Sequence, residues 1–345
     1  MSKRQFIETS SRPWVKKMTD YVISSMARLH RNLLRYPFVP SLNYDDAIEV
    51  SNDISIAALD SYSYKKIDLR DLSLYETIKL KNDKTYTQEL SNNSKISSVL
   101  RIDERRSILI NEFDHMVIQS YAMGKDLESR FLDVKDMGLE FEKKLDFAFD
   151  KRFGFLTSAP LLCGTGLVIN IKLHLPALSY YGYEIVARDL RSFGFSLFPN
   201  LGKENKAIGD IFYLTNISSI GNEEEFILQR IENVISRLQS IESSYRQRLF
   251  IDDITDLEDK VYRSKGILEN ARIMGQAEAL NHLSNIKLGL DLNILQARFE
   301  TNIFTEMEEI RSESLQEKRA GILDKNTRRQ LRASKLRRTI KERII

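Results

Sequence analysis

An α+β fold is predicted for this chain, on three observations. From Ser107 to about Asn216 the apolar residues come in short runs rich in β-branched and aromatic side chains, the pattern of strands in a half-buried sheet. One long stretch inside that region keeps a helical period instead. After Asn216 the strand signals stop and helical periodicity runs on to the end of the chain. A sheet with packed helices, followed by an all-α unit, is what this order implies.

The strands are read at Ile108-Leu109-Ile110, Met116-Val117-Ile118 and Leu167 through Leu173. The interrupting helix is expected over about Asp126 to Asp150, because Leu127, Phe131, Val134, Phe141 and Leu145 fall on one face at spacings of three, four or seven. Its place is on one face of the sheet. Downstream, Glu223-Glu224-Glu225 put acids where the dipole of a helix start favours them. Phe226, Ile227, Ile231, Val234, Ile235, Leu238 and Ile241 then continue at helical spacing. Further helices are expected over Leu257 to Ala271, Ala277 to Lys287 and from about Thr327. No linker composition marks a boundary, so the change between Phe250 and Thr255 rests on periodicity alone and divides the chain into residues 15–250 and 251–345.

A length of 345 residues suits two such units, and 42% hydrophobic with 29% charged residues is the balance of an ordinary globular protein. The single cysteine, Cys163, excludes an intramolecular disulfide and reads as a small core hydrophobe. No apolar run approaches the roughly twenty residues of a membrane span. Met1-Ser2-Lys3-Arg4 lead into no signal-peptide core, so a cytoplasmic protein without membrane partners is expected. Four scattered histidines and no Cys-x-x-Cys argue against a structural zinc site, and no metal ligands are assigned. The net charge of +3 is unevenly spread: residues 325–343 hold nine lysines and arginines against one acid, Glu342. That excess suits an anionic partner. An RNA-binding role for the basic end is a weaker third reading, since the segment lacks interleaved aromatics and the spacing of a known binding motif.

Several segments carry a family likeness. Asn111-Glu112-Phe113-Asp114-His115 is one; Val22-Ile23-Ser24-Ser25-Met26-Ala27-Arg28-Leu29-His30-Arg31-Asn32-Leu33 is another. Arg152 through Pro160 with Gly164-Thr165-Gly166-Leu167, Ile208 through Asn216, and Gly221-Asn222-Glu223-Glu224-Glu225 follow in order. Together they resemble the ATP:guanidino phosphotransferases, whose signature reads Asn-Glu-Glu-Asp-His, a hydrophobic residue and an arginine. Val261-Tyr262-Arg263, Gly266 through Arg272 and Leu288 through Leu292 resemble the helical C-terminal domain of the family's bacterial protein-arginine kinases. The resemblance implies a guanidino-kinase domain with a mainly antiparallel sheet, then an all-α domain.

Transfer of a phosphoryl group to a guanidinium needs a carboxylate to hold and deprotonate the attacking nitrogen, a cationic cradle for the triphosphate, and magnesium. By the resemblance, the second carboxylate of the signature falls on Phe113. The family's arginines fall on Met26, Arg28, Val117, Val168 and Phe198, its polarising cysteine on Ala159 and a loop acid on Lys203. Four of those arginines are thus replaced by apolar residues. At about 1.5–3 kcal/mol for each charge-assisted hydrogen bond, even half the additive loss weakens triphosphate binding by about two to four orders of magnitude. Lys172, on the strand face of Val168, restores one charge and not a cradle.

The remnants are therefore Glu112 for catalysis and Ser24, Ser25, Arg28, Gly164, Thr165 and Gly166 for the nucleotide. Glu112 reads as a structural hydrogen-bonding group or a magnesium-facing carboxylate, Asp114 and His115 as turn-holding residues, and the glycine pair as a bend or an anion nest. With apolar residues replacing charges, the cleft is expected to close on itself. A second candidate site is Arg328, Arg332 and Ala333, which match the phosphoarginine-binding motif of protein-arginine kinases except that its acid is Arg329. Arg328 and Arg332 share a helix face and would grip one phosphate. The leading expectation is a pseudokinase that needs no cofactor and acts as a regulatory or adaptor protein, through a homo- or hetero-dimer or protein quality-control machinery. The alternative is an active protein-arginine kinase using ATP and magnesium in a rearranged site.

Overall fold

The computed structural model describes residues 21–202 and 206–345. The Met1–Arg4 segment, the expected domain start at residue 15 and Lys203 lie outside them. In chain order the described elements begin with β1 (Val22–Arg31), α1 (Tyr44–Leu59), β2 (Lys65–Asp68), α2 (Leu74–Asn82), α3 (Gln88–Asn92), β3 (Ser98–Arg101), β4 (Arg106–Ile110) and β5 (Met116–Met123). Then come α4 (Leu127–Glu142), the short pair β6 (Phe149–Asp150) and β7 (Gly154–Phe155), β8 (Leu167–His174), α5 (Pro176–Tyr181), α6 (Glu184–Ser192), β9 (Phe195–Leu201) and β10 (Ala207–Asn216). Helices complete the chain: α7 (Glu224–Asp252), α8 (Ile254–Asn270), α9 (Gln276–Asp291), α10 (Ile303–Glu309), α11 (Ser312–Lys318) and α12 (Lys325–Arg343).

Eight of the described strands form one sheet in the order β2-β3-β4-β5-β1-β8-β10-β9, antiparallel at every step, and β6 and β7 pair apart from it. Alternation along each strand gives the sheet two unlike faces. Ala27 and Leu29 of β1, Ile118 of β5, Ile169 and Ile171 of β8 and Leu214 of β10 point to one face, where Phe131, Val134 and Phe141 of α4 and Ile231, Ile235 and Leu238 of α7 bury them. Close approach is required here: a Cβ on Gly138 of α4 would lie 2.6 Å from the Leu29 side chain.

The opposite face is covered at two ends. At one, Val117, Leu109 and Val99 pack under Leu69 and Leu90. At the other, Ile23 and Ile211 join the core of the helical unit, with Val261, Leu283, Phe304, Leu336 and Ile340. Arg246, buried in α7, ties the two units: its Nε donates to Glu242 at 2.7 Å and its Nη1 to Asp291 of α9 at 2.8 Å. Burial opposes the charge, but the two carboxylates outweigh it and hold the guanidinium fully protonated.

The helix expected to reach Asp150 ends at Glu142. The end of β1 competes for the chain: Leu34 N donates to Asp146 O at 2.9 Å and Ala148 N to Asn32 O at 2.8 Å, an extended pairing that a helix cannot make. Leu145 still packs against the core from outside the helix. Phe226 starts α7 exposed, with Arg230 over its ring, whereas Ile227 takes the buried place. Cys163 is half-buried and belongs to none of the three apolar clusters, its Sγ lying 3.7 Å from the Thr157 hydroxyl. No described helix is long and apolar enough to cross a membrane.

Candidate functional site

Five positions that matter to the resemblance come together on the second sheet face. Pairing sets Arg28 opposite Val168 on one side and Gln119 on the other, with Met26 between Tyr121 and Asn170. Val117 lies one alternation further along β5, and Phe198 stands across β10, stacked on Tyr213 with ring centres 5.5 Å apart. The face exists, and its chemistry is changed. Val117 is fully buried in the small apolar cluster, Met26 and Val168 are half-buried, and Phe198 is exposed.

Arg28 is the cation that survives at these positions, and it is spoken for. Its Nη2 donates to Glu112 Oε1 at 2.5 Å, with the Glu112 side chain 1% exposed. Burial alone would push the Glu112 carboxyl up, but Arg28, the Thr87 hydroxyl and His30 hold it below the usual carboxylate range. Glu112 is thus an ion-pair partner held in the β4–β5 turn. Phe113, where the signature has its second carboxylate, stands at the rim, 37% exposed, and offers no acceptor.

The turn that carries Glu112 is locked to the end of β1. Asn111 takes a left-handed φ of 53° and its amide donates to Ala47 O and Ile96 O. Asp114 accepts from His30 Nδ1 at 2.9 Å, from Asn32 Nδ2 at 2.6 Å and from the Ser158 N–H at 2.6 Å. Burial opposes its charge, and these donors, His30 first, hold it below the usual range. His115 accepts from Leu33 N–H at Nδ1 (3.0 Å), so its Nε2 carries the proton donated to Pro37 O (2.9 Å). Burial lowers the pKa of this neutral imidazole. Asp114 and His115 hold the turn.

The other remnant positions split. Ser24 lines the cavity on this face, whereas Ser25 faces the opposite way and donates to Gly124 O at 2.9 Å. Gly164-Thr165-Gly166 forms a tight bend packed on β1: a Cβ on Gly166, whose φ is +67°, would lie 2.4 Å from His30 O. Arg31, buried beneath it, donates to Thr165 O at 2.7 Å. Gly164 N–H is taken by Phe155 O at 3.0 Å.

The expected closure of the cleft is corrected by the structure. A cavity of about 360 Å³ remains between the sheet face and the helical unit, lined by Ser24, Met26, Tyr121, Asn170 and Tyr213 together with Lys84, Lys172, Glu308 and Arg311. Its lining is mixed, with Ile211, Leu280 and Met307 beside the polar groups, and an ion cluster spans it. Lys172 donates to Glu308 Oε1 at 2.5 Å, while Lys84 and Arg311 donate to Glu308 Oε2 at 2.5 and 3.0 Å. Lys84, Glu308 and Arg311 stand in no motif, and only the folded chain joins them.

At the C-terminal candidate the structure also departs from expectation. Arg328 and Arg332 do share a face of α12, yet Arg332 is buried and fully engaged: Nε donates to Ile310 O (2.8 Å), Nη1 to Met274 O (2.9 Å) and Nη2 to Ser312 Oγ (3.1 Å). Burial, with Arg328 nearby, lowers its pKa to about 10. Arg328 donates to Leu323 O at 2.7 Å, and Ala333 is buried. In this arrangement Arg332 staples α12 to Met274 and the α10–α11 turn, while Arg328 ties its first turn to α11 and the segment that follows it.

The comparisons with known proteins bear on the whole chain. Residues 48–245 match the family model "ATP:guanido phosphotransferase, C-terminal catalytic domain", and residues 254–343 match "Protein-arginine kinase McsB C-terminal domain". A protein-arginine kinase of Halalkalibacterium halodurans is 31% identical over 99% of this chain and 98% of its own length. That of Staphylococcus epidermidis is 31% identical over 86% and 89% of the two chains. Among solved structures, the duplicated taurocyamine kinase from Schistosoma mansoni (TM-score 0.61, 20% identity, 78% of this chain and 42% of that one) shares the fold. So does lombricine kinase (TM-score 0.57, 20% identity, 68% and 69%). With its sheet, its locked signature turn and both family domains matched, this chain belongs to the protein-arginine kinase family of ATP:guanido phosphotransferases.

Proposed function

We propose that this chain has lost phosphoryl transfer and acts as a pseudokinase, a regulatory or adaptor protein that works by binding other proteins. The observation that carries the reading is the Arg28–Glu112 pair on a face whose other arginine positions are apolar. The surviving cation and the surviving carboxylate neutralise each other, so neither is free for a phosphate or a magnesium ion. ATP and magnesium therefore do not fit the residues present, and no step is derived through them. Lys172 does not repair the cradle, since Glu308 holds it. Protein partners, in a homo- or hetero-dimer or in quality control, are the class that suits a retained fold without retained chemistry.

A transfer assay tests this. With labelled ATP, magnesium and an arginine-containing protein substrate, phosphoarginine is expected at the level of a no-enzyme control. Loss of the positioned base alone accounts for about 10²- to 10⁴-fold. Substrate phosphorylation at a rate within about tenfold of a relative that has the intact signature would establish the alternative, an active kinase with a rearranged site.

A further inference from the structure

The outer side of α7 and the turn after α6 form a surface that the fold itself does not use. α7 buries Ile227, Ile231, Val234, Ile235 and Leu238 against the sheet. Its opposite side carries Phe226, Arg230, Asn233 and Arg237, at steps of four, three and four that keep them in one stripe. Phe226 is 48% exposed, and Phe193, just beyond α6, is 53% exposed. The two arginines join these rings. Arg230 lies 5.4 Å from the centre of the Phe226 ring and 5.2 Å from that of Phe195, and it donates to the Phe193 carbonyl. Arg237 lies 5.9 Å from the centre of the Phe193 ring. Stacking takes up the face of a guanidinium and leaves its N–H edge for a carboxylate.

What the surface lacks is an acid. The exposed Arg248 and Arg263 each have one four residues away, Asp252 and Asp259. For Arg230 and Arg237 every residue three or four places away is neutral, and among the described residues no carboxylate lies within ion-pair distance of either. Glu225, in the first turn of α7, is turned to Lys135 of α4 instead. We propose that this surface binds an acidic amphipathic helix of a partner protein. Two carboxylates of the partner take the N–H edges of Arg230 and Arg237, and apolar side chains between them cover Phe193 and Phe226. Seven residues separate the arginines, about 10 Å along the helix. Carboxylates seven apart on one face of a partner helix have the same spacing, with positions three and four between them for apolar groups. Forked pairing of guanidinium with carboxylate adds direction to the charge attraction. Nucleic acid fits less well, because two cations release few counterions and the rings already carry guanidinium groups. The surface lies on the sheet side opposite Arg28 and Glu112, so it extends the protein-binding reading without relying on lost chemistry. Phosphoryl transfer and binding at α7 can each fail without the other.

Fluorescence anisotropy of the full chain with a labelled helical peptide at low salt tests it. The probe is a peptide of about 20 residues with two glutamates seven apart and leucines three and four places after the first. Saturable binding is expected below about 1 mM peptide, and at least about tenfold weaker binding when both glutamates are glutamine. An Arg230→Glu, Arg237→Glu double variant should lose the glutamate peptide and take up one with lysines in the same two places. Should that variant fail to fold, the glutamine peptide on wild type decides the matter. The proposal is overturned if the glutamate peptide shows no saturable binding, if the glutamine peptide binds equally well, or if the folded double variant binds the glutamate peptide like wild type. It is also overturned if an oligouridine binds more tightly than the peptide. A wild-type dimer in sedimentation that the folded double variant dissociates would give the surface to a second copy instead, and equally overturn it.

Discussion

Arg246→Met is expected to destabilise the folded chain by about 3–5 kcal/mol, the usual cost of removing one partner from a buried ion cluster. The guanidinium is inaccessible, sits over the Tyr21 ring at 4.6 Å and bonds two carboxylates from different units. Without it Glu242 keeps the N–H groups of Ala177 and Leu178, at 3.0 and 2.8 Å, but holds a buried charge with no cation against it. Asp291 is better placed, since Lys287 donates to it at 2.5 Å. The fault therefore centres on Glu242, and both units should loosen together. Urea unfolding monitored by circular dichroism reads the effect, and a loss below about 1 kcal/mol, the size of an exposed pair, would contradict it.

The second large effect concerns a repair that should fail. Val117→Arg supplies the residue type that the resemblance places at this position, yet it is expected to destabilise the protein by several kilocalories per mole. Val117 is completely buried among Leu69, Leu90, Val99 and Leu109, where a guanidinium finds neither water nor an anion. Val117 is part of this packing and does not line the cleft. Thermal unfolding of the variant should shift down markedly, and its affinity for magnesium-ATP should not rise. An unchanged melting temperature with measurable gain in nucleotide binding would show that the cluster yields easily and that the face is still a nucleotide site.

Legibility in the amino-acid sequence followed the range of the interactions involved. The strands around Ile108, Val117 and Ile169 were readable because a half-buried sheet imposes a period of two on neighbouring residues. The start of α7 is legible in its local acids and the onset of helical spacing, and α12 begins at Lys325, two residues before the start expected near Thr327. The early part of the chain was not: β2 and β3 are four residues each and α3 is five, too short for a period to declare itself. The end of α4 is not legible locally, because it is set by pairing with Asn32 and Leu34, about a hundred residues earlier in the chain.

The site shows the same division. Glu112 and Arg28 were identified through their motifs, but their ion pair spans 84 residues and no local pattern announces it. Lys84 and Glu308 lie 224 residues apart, and Lys172 and Glu308 136, so the cluster that spans the cavity is visible only in the fold. Arg332 is different, because a usable signal was present. Ala333, Leu336 and Ile340 form the buried stripe of α12, and Arg332 lies on the same side of the helix as Leu336. Read that way, it belongs to the packed face before any ligand is considered.

The central claim is that the sheet face no longer holds a triphosphate, and calorimetric titration of the purified full chain with magnesium-ATP tests it most directly. The account predicts no saturable heat up to about 1 mM nucleotide, in line with the loss of several charge-assisted contacts. A dissociation constant in the low micromolar range, about −7 to −8 kcal/mol of binding free energy, would contradict it.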